Sequence, residues 1–357
     1  EIIAQTEFLR GYYYFELVKY FGDVPLVVDK RLGADEVTAI ERTSKEEVYA
    51  QIEKDLRNAA TALDWTSSQK GRITKGACLS LLGKALLYQN KFGEAAIVLD
   101  QVINEEQYAL IDDYKELFSV ENEGNSETVF DVQYTGAEGG GYGCLICLEG
   151  NAAPGFHGIR QYKGPVYGDG NSYNLPTEKL FNSFAPGDVR RDASVLDIDA
   201  FIGNRDITYA EGGGGHTGYY NNKYIKRIGE IGLPDNDLTS PVNYRVIRYA
   251  DILLMAAEAH NRNIPANDGK ALGYLNKVRD RVNLPNITSA GSQLTEDIWL
   301  ERKYELSGEG HRFFDLVRTG QAAKEITGFQ TGKHELFPIP QVEIDLTGGN
   351  WTQNPNY

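Results

Sequence analysis

The chain has 357 residues, 41% hydrophobic and 24% charged, which is the balance of a folded protein with a sizeable core. A formal net charge of −15 leaves no basic stripe for a phosphate backbone, so nucleic acid is excluded as a partner. Three cysteines exclude a disulfide framework, and the longest apolar runs, such as residues 252–257, fall far short of a membrane span.

Residues 4–21 read as a helix with Phe8, Tyr12, Phe15 and Val18 on one face and Gly22 at its stop. That face has no partner upstream, and Glu1 opens on it without a charged-then-apolar leader. The expectation is a sequence that begins within a longer protein. Pro25 forces an extended exit over residues 24–28. Thr43 and Ser44, followed by Glu46 and Glu47, signal a helix start, with Val48, Ile52, Leu56 and Ala59 or Ala60 inward to about Leu63.

Residues 76–102 form the stretch on which the rest is organised. Ala77, Leu81, Ala85 and Tyr88 share one helix face, and Phe92, Ala95, Ala96, Leu99 and Val102 share the next. The break at Gln89-Asn90-Lys91 folds them into an antiparallel hairpin. Gly83 and Ala95 fall where a tetratricopeptide helix pair needs small residues at its crossing. One pair cannot bury its own face, so more are expected. Residues 248–259 with 271–282, and 293–307 with 312–323 around Gly308-Glu309-Gly310, supply them.

Residues 109–245 break this pattern with short alternating pieces, such as 128–134, and glycine-rich turns that peak at 211–216. The expected fold is therefore mostly α and a single domain. Tetratricopeptide-like helix pairs occupy 1–108 and 246–327, and a loop-rich insertion with short strands occupies 109–245. The tail, 328–357, is expected to be extended, because Pro338 and Pro340 oppose a helix. Long loops inside a compact domain commonly carry function.

No GxSxG, HExxH or Walker motif is present, and Gly141-Tyr142-Gly143 lacks a third glycine and a following helix. The five histidines show no metal spacing and no EF-hand pattern occurs, so neither metal nor cofactor is expected. Cys144 and Cys147 make a lone CxxC without a second ligand pair, and they read as two buried or loosely paired thiols. Glu301, Glu305 and Glu309 share a helix face and could serve as acid and base in glycoside hydrolysis. Arg302, Arg312 and Arg318 interleave with them, and ion pairing is the plainer reading.

The insertion offers a binding surface instead. A sugar ring stacks its C–H face on aromatic rings while its hydroxyls bond amides and charges. The expected ligand-binding residues are Tyr142, Phe156, His157, Arg160, Tyr162, Tyr167, Asn171, Tyr219 and Tyr220, with Tyr173, Tyr224, Asn151, Gln161, Asp169 and Asn221 nearby. About a third of the tyrosines are expected to face ligand, the others packing the insertion.

Several stretches then carry a family likeness in a fixed order over nearly the whole chain. They are FLRGYYYFELVKYFGDVPLV (8–27), GRITKGACLSLLGKALLY (71–88), RYADILLMAAEAHN (248–261), LNKVRDRVNLP (275–285), ERKYELSGEGHRFFDLVRTG (301–320), LFPIPQVEIDL (336–346) and the ending WTQNPNY. The chain resembles the SusD/RagB family, surface-exposed outer-membrane lipoproteins that capture nutrients for a SusC-like TonB-dependent transporter. The resemblance implies glycan binding without catalysis, or peptide binding in the RagB branch. It also implies a lipid anchor ahead of residue 1 and a structural role for the helical motif bearing Glu301, Glu305 and Glu309. A glycoside hydrolase on a helical scaffold is the reading from another class. A cytosolic tetratricopeptide adaptor is disfavoured by the insertion.

Overall fold

A computed structural model describes residues 1–136, 150–211, 215–230 and 239–357. The fold is mostly helical, built on tetratricopeptide-like helix pairs, with a few short strands. It divides into two compact units, Glu1–Val102 with Arg312–Tyr357, and Ile103–His311.

The first unit begins with α1 (Ile2–Phe21), α2 (Lys45–Ala62), α3 (Lys75–Tyr88) and α4 (Phe92–Asn104). α1 buries Ala4, Phe8, Gly11, Phe15 and Val18, so Gly11 rather than Tyr12 sits in the seam. The reason is close approach: a Cβ on Gly11 would lie 3.2 Å from Leu56 of α2. Ser44 caps α2 by accepting from the Glu47 N–H. The helix buries the expected apolar residues and also Asp55, which takes guanidinium N–H groups from Arg10 at 2.6 and 2.7 Å.

α3 is buried on nearly every side from Gly76 to Leu87 and forms the centre of this unit. A Cβ on Gly83 would lie 2.5 Å from Leu99 Cδ2 of α4, so the glycine sets the crossing distance. Gly83→Ala is expected to force the fully buried Leu99 out of its rotamer, at a cost of about 1–3 kcal/mol. Urea unfolding measures this as a lower midpoint; an unchanged midpoint would refute the close crossing.

The expected helix over 312–323 is two pieces, Arg312–Arg318 and Ala322–Glu325, because Gly320 turns to φ 71° between them. The tail is not wholly extended either. A helix, Gln341–Leu346, starts directly after Pro340. Proline disrupts a helix interior but is tolerated at its start, where its missing N–H has no partner to lose.

In the second unit the strands are β1 (Thr128–Val132), β2 (Val195–Asp197), β3 (Tyr219–Asn221) and β4 (Tyr244–Arg248). β1 pairs antiparallel with β4, and β2 with β3. β4 runs straight into α5 (Tyr249–Arg262), on which α6 (Asp268–Arg281) and α7 (Gly291–Glu305) pack. α5 is buried from Tyr249 to Asn261. Arg248, expected to open that helix, instead ends β4 in extended conformation.

Candidate functional site

The aromatic residues of the second unit are sorted by one loop. Asn151 anchors its start, accepting from Ala153 N–H at 3.0 Å and donating to the Val242 carbonyl at 2.8 Å. A short helix, Ala153–His157, follows with Pro154 in its first turn. The chain then leaves and returns. On return, the N–H groups of Gly170, Asn171, Ser172 and Tyr173 donate to the carbonyls of Ile159, Gly155, Gly158 and Phe156 at 2.9, 3.0, 2.8 and 2.8 Å. Gly158 and Gly170 meet backbone to backbone, where a Cβ on Gly170 would lie 2.4 Å from the Gly158 carbonyl carbon.

Tyr173 stands between two non-glycine residues in left-handed conformation, Ser172 at φ 56° and Asn174 at φ 53°. Such backbone persists only where surrounding bonds hold it. The outcome is a pair of rings side by side: Phe156 and Tyr173 have centroids 6.2 Å apart and planes at 34°. Tyr173 is 59% exposed and Phe156 half-buried. Beside them Arg160 is exposed and Asn171 half-buried, and the side chains of both make no hydrogen bond among the described residues.

Tyr162, Tyr167 and Tyr220 do not join this surface. They lie in an apolar cluster with Ile159, Leu196, Ile198 and Ile225, where Tyr162 meets Tyr167 edge-on at 5.7 Å. Their rings complete a core that the insertion cannot build from its few aliphatic residues, and this corrects their expected placement toward ligand. The Tyr220 hydroxyl lies 3.4 Å from Ser172 Oγ, so the buried ring supports the loop carrying Tyr173. Strand alternation puts Tyr219 on the opposite face, where it stacks on Phe181 at 4.6 Å, and the Arg191 guanidinium lies 4.9 Å from the Phe181 centroid.

His157 is half-buried and bonds the Tyr224 main chain; burial pushes its imidazole toward the neutral form, and the bond to Tyr224 opposes this only partly. Tyr224, Asn151 and Asn221 are buried, Asn221 donating to the Gly308 carbonyl at 2.9 Å. Gln161 and Asp169 are exposed and bond each other, Gln161 N–H to Asp169 Oδ1 at 2.6 Å. Tyr142, Cys144 and Cys147 lie outside the described residues.

The acid cluster is committed elsewhere. Glu301, Glu305 and Glu309 are 2%, 0% and 1% exposed. Glu301 accepts from Arg190 at 2.5 Å and Arg279 at 2.6 Å. Glu305 accepts from Arg190 at 3.1 Å, from Arg248 at 2.6 Å and from Arg281. Glu309 takes Arg248 at 2.8 Å and Lys223 at 2.7 Å. Burial alone would raise the carboxyls of Glu305 and Glu309, but the cations overcome it, holding Glu305 well below the usual range and Glu309 at about 2. Burial lowers Lys223 to about 8 against the pull of Glu309.

The interleaved arginines are not the partners that hold these acids. Arg302 pairs with Asp251 at 2.7 Å and Arg318 with Asp315 at 2.8 Å. Arg190, Arg248, Arg281, Lys223 and Glu127 were not legible from spacing. The available signal was arginine on both sides of an apolar pair in RVIR (245–248), since a strand so placed must bury a charge. Among the described residues no group of His, Cys, Asp or Glu could hold a metal ion, and no helix is long and apolar enough to cross a membrane.

Helix pairs carrying loop-borne aromatic residues define the class, a tetratricopeptide-like helical scaffold with an elaborated second unit. Residues 197–335 match the family described as SusD, and residues 1–87 match one described as starch-binding associating with outer membrane. The chain belongs to the SusD family. It is 30% identical to SusD-like protein P2 of Formosa agariphila, over all of this chain and 74% of that one. It is 27% identical to a SusD-like protein of Bacteroides ovatus, over 88% of this chain and 58% of that one. Among solved structures it is similar to a laminarin binding SusD-like protein, with TM-score 0.91 and 37% identity over 99% of this chain and 78% of that one. Surface glycan-binding protein A from Bacteroides thetaiotaomicron, in complex with laminarihexaose, has TM-score 0.87 and 26% identity over 98% and 77% of the two chains.

Proposed function

We propose that this chain binds an oligosaccharide or polysaccharide at the bacterial cell surface without cleaving it and hands it to a SusC-like TonB-dependent transporter. The full-length protein is held at the outer membrane by a lipid anchor. The ligand lies on the 109–245 insertion, within one SusD-like domain, against Phe156 and Tyr173. Arg160 and Asn171 bond its hydroxyls. Tyr219 with Phe181 offers a further ring surface on the other face of β3.

The observation that carries this reading is the Phe156–Tyr173 pair, two rings fixed by main-chain bonds before any ligand arrives. A preformed aromatic surface spends little ordering entropy on binding. The relatives that bind laminarin and laminarihexaose support a β-glucan as the first candidate. Carboxylates locked to buried cations support binding over hydrolysis, because a general acid needs access to the glycosidic oxygen.

Affinity electrophoresis and calorimetry against laminarin, other polysaccharides and a peptide panel test the proposal. Tyr173→Ala is expected to weaken glycan binding about tenfold or more, as loss of a central aromatic contact does. Binding to peptides alone would move the protein to the RagB-like reading, and release of shortened glycan products would overturn the non-catalytic one.

A further inference from the structure

A cavity of about 500 Å³ opens in the second unit where residues 108–112 pass over the start of α5 and the C-terminal part of α6. This volume falls in the range of ~300–1,000 Å³ that small-ligand sites occupy. Tyr108 and Tyr249 line it with ring centroids 6.5 Å apart and planes at 32°. The Tyr249 hydroxyl has no hydrogen-bond partner among the described residues, although the residue is only 7% exposed.

The rim carries exposed charge, with Lys277 Nζ 5.9 Å from the centroid of the Tyr274 ring. Asp112, Lys277 and Asp280 are exposed, and none of their side chains makes an ion pair or hydrogen bond among the described residues. At the back, Arg281 spends its two terminal nitrogens on Glu127 and Glu305, while its buried Nε–H has no acceptor. Around Glu305 the other buried guanidinium groups, those of Arg190 and Arg248, are matched by carboxylates. An aromatic wall ringed by idle donors and acceptors is the composition of a polar-ligand site, not of a packed seam.

The charges select the ligand class. Two carboxylates without ion pairs, Asp112 and Asp280, share the lining with one ammonium, Lys277, because Arg281 is already neutralised by Glu127 and Glu305. A polyanion is repelled, whereas a neutral polyol is served on every side. Paired hydroxyls donate to Asp112 and Asp280, Lys277 donates to a hydroxyl or ring oxygen, and a C–H face packs on Tyr108.

We propose that this cavity is a second saccharide site, taking a neutral sugar unit independently of the Phe156–Tyr173 pair. It shares the cargo class of the proposed function but none of its residues. Two sites on one chain raise the effective concentration of a polymer at each, so a long glycan is held more tightly than its units.

The test is calorimetric stoichiometry on the full chain with laminaritriose, a triuronate and a tripeptide. Two variants are compared with the wild type, Lys277→Ala/Asp280→Ala and Phe156→Ala/Tyr173→Ala. The expected result is two laminaritriose molecules per wild-type chain and one per chain in either variant. Affinity at the cavity should fall about tenfold or more in the first variant, as for two lost hydrogen bonds. Survival of one site in the ring variant, removed by adding the cavity substitutions, would support the cavity even if the ring pair proved inert. A single wild-type site lost only with Phe156 and Tyr173 would overturn the inference and leave the proposed function standing. Cavity binding of the triuronate or tripeptide in preference to laminaritriose would overturn the ligand class.

Discussion

Glu305→Gln is expected to cost the second unit about 3–5 kcal/mol of folding stability, the scale for breaking one partner out of a buried ion network. Glu305 has no exposed surface, and its two oxygens meet Arg190, Arg248 and Arg281. The glutamine keeps the volume but removes the negative charge, leaving buried guanidinium groups short of one counter-charge. Its amide N–H groups must also point at donors. Urea unfolding followed by circular dichroism measures the loss, and a shift below about 1 kcal/mol would show the network to be dispensable.

The same cluster sets an acid limit. The folded-state carboxyls of Glu305 and Glu309 are depressed, so their contribution is complete above the ordinary value of 4.5 and is lost as pH falls through the folded value. For Glu309 that window runs from 4.5 down to about 2. The wild type should therefore keep this contribution through mildly acid conditions and lose it across that window.

Helices were legible because their signal is local. Phe8, Phe15, Val48, Ile52, Leu81 and Leu99 repeat at helical spacing, and each is buried where the spacing puts it. The ion network was not legible, because its bonds join residues far apart in sequence: 57 positions from Arg248 to Glu305 and 115 from Arg190 to Glu305. No periodicity encodes such a pairing. The tyrosines failed for a different reason. Tyr162, Tyr167, Tyr173 and Tyr220 are one residue type in one kind of segment, and composition cannot separate a core ring from an exposed one. What separates them is backbone: left-handed Ser172 and Asn174 turn Tyr173 outward, while β3 turns Tyr220 inward. The glycines at 158 and 170 were the readable trace of that closure, but their meeting depends on a return of the chain that sequence spacing does not specify.

Gly170→Ala is expected to abolish most glycan binding while leaving the helices intact. The added methyl would lie 2.4 Å from the Gly158 carbonyl carbon and 2.5 Å from its Cα, and backbone atoms have no rotamer by which to give way. The return strand must therefore lift from residues 155–159. Lifting it breaks the four main-chain bonds from Gly170, Asn171, Ser172 and Tyr173 and releases Tyr173 from Phe156. Freed, the two rings regain conformational freedom that binding must remove again, so affinity falls by about tenfold or more even though both remain in the sequence. Gly273→Ala is the matching control, because a Cβ at that exposed position of α6 meets nothing within 4 Å. It should leave both binding and helicity as they are. Wild-type affinity in Gly170→Ala, with helicity unchanged, would mean that the closed loop does not position the ligand surface, and the aromatic pair would lose its place in the mechanism.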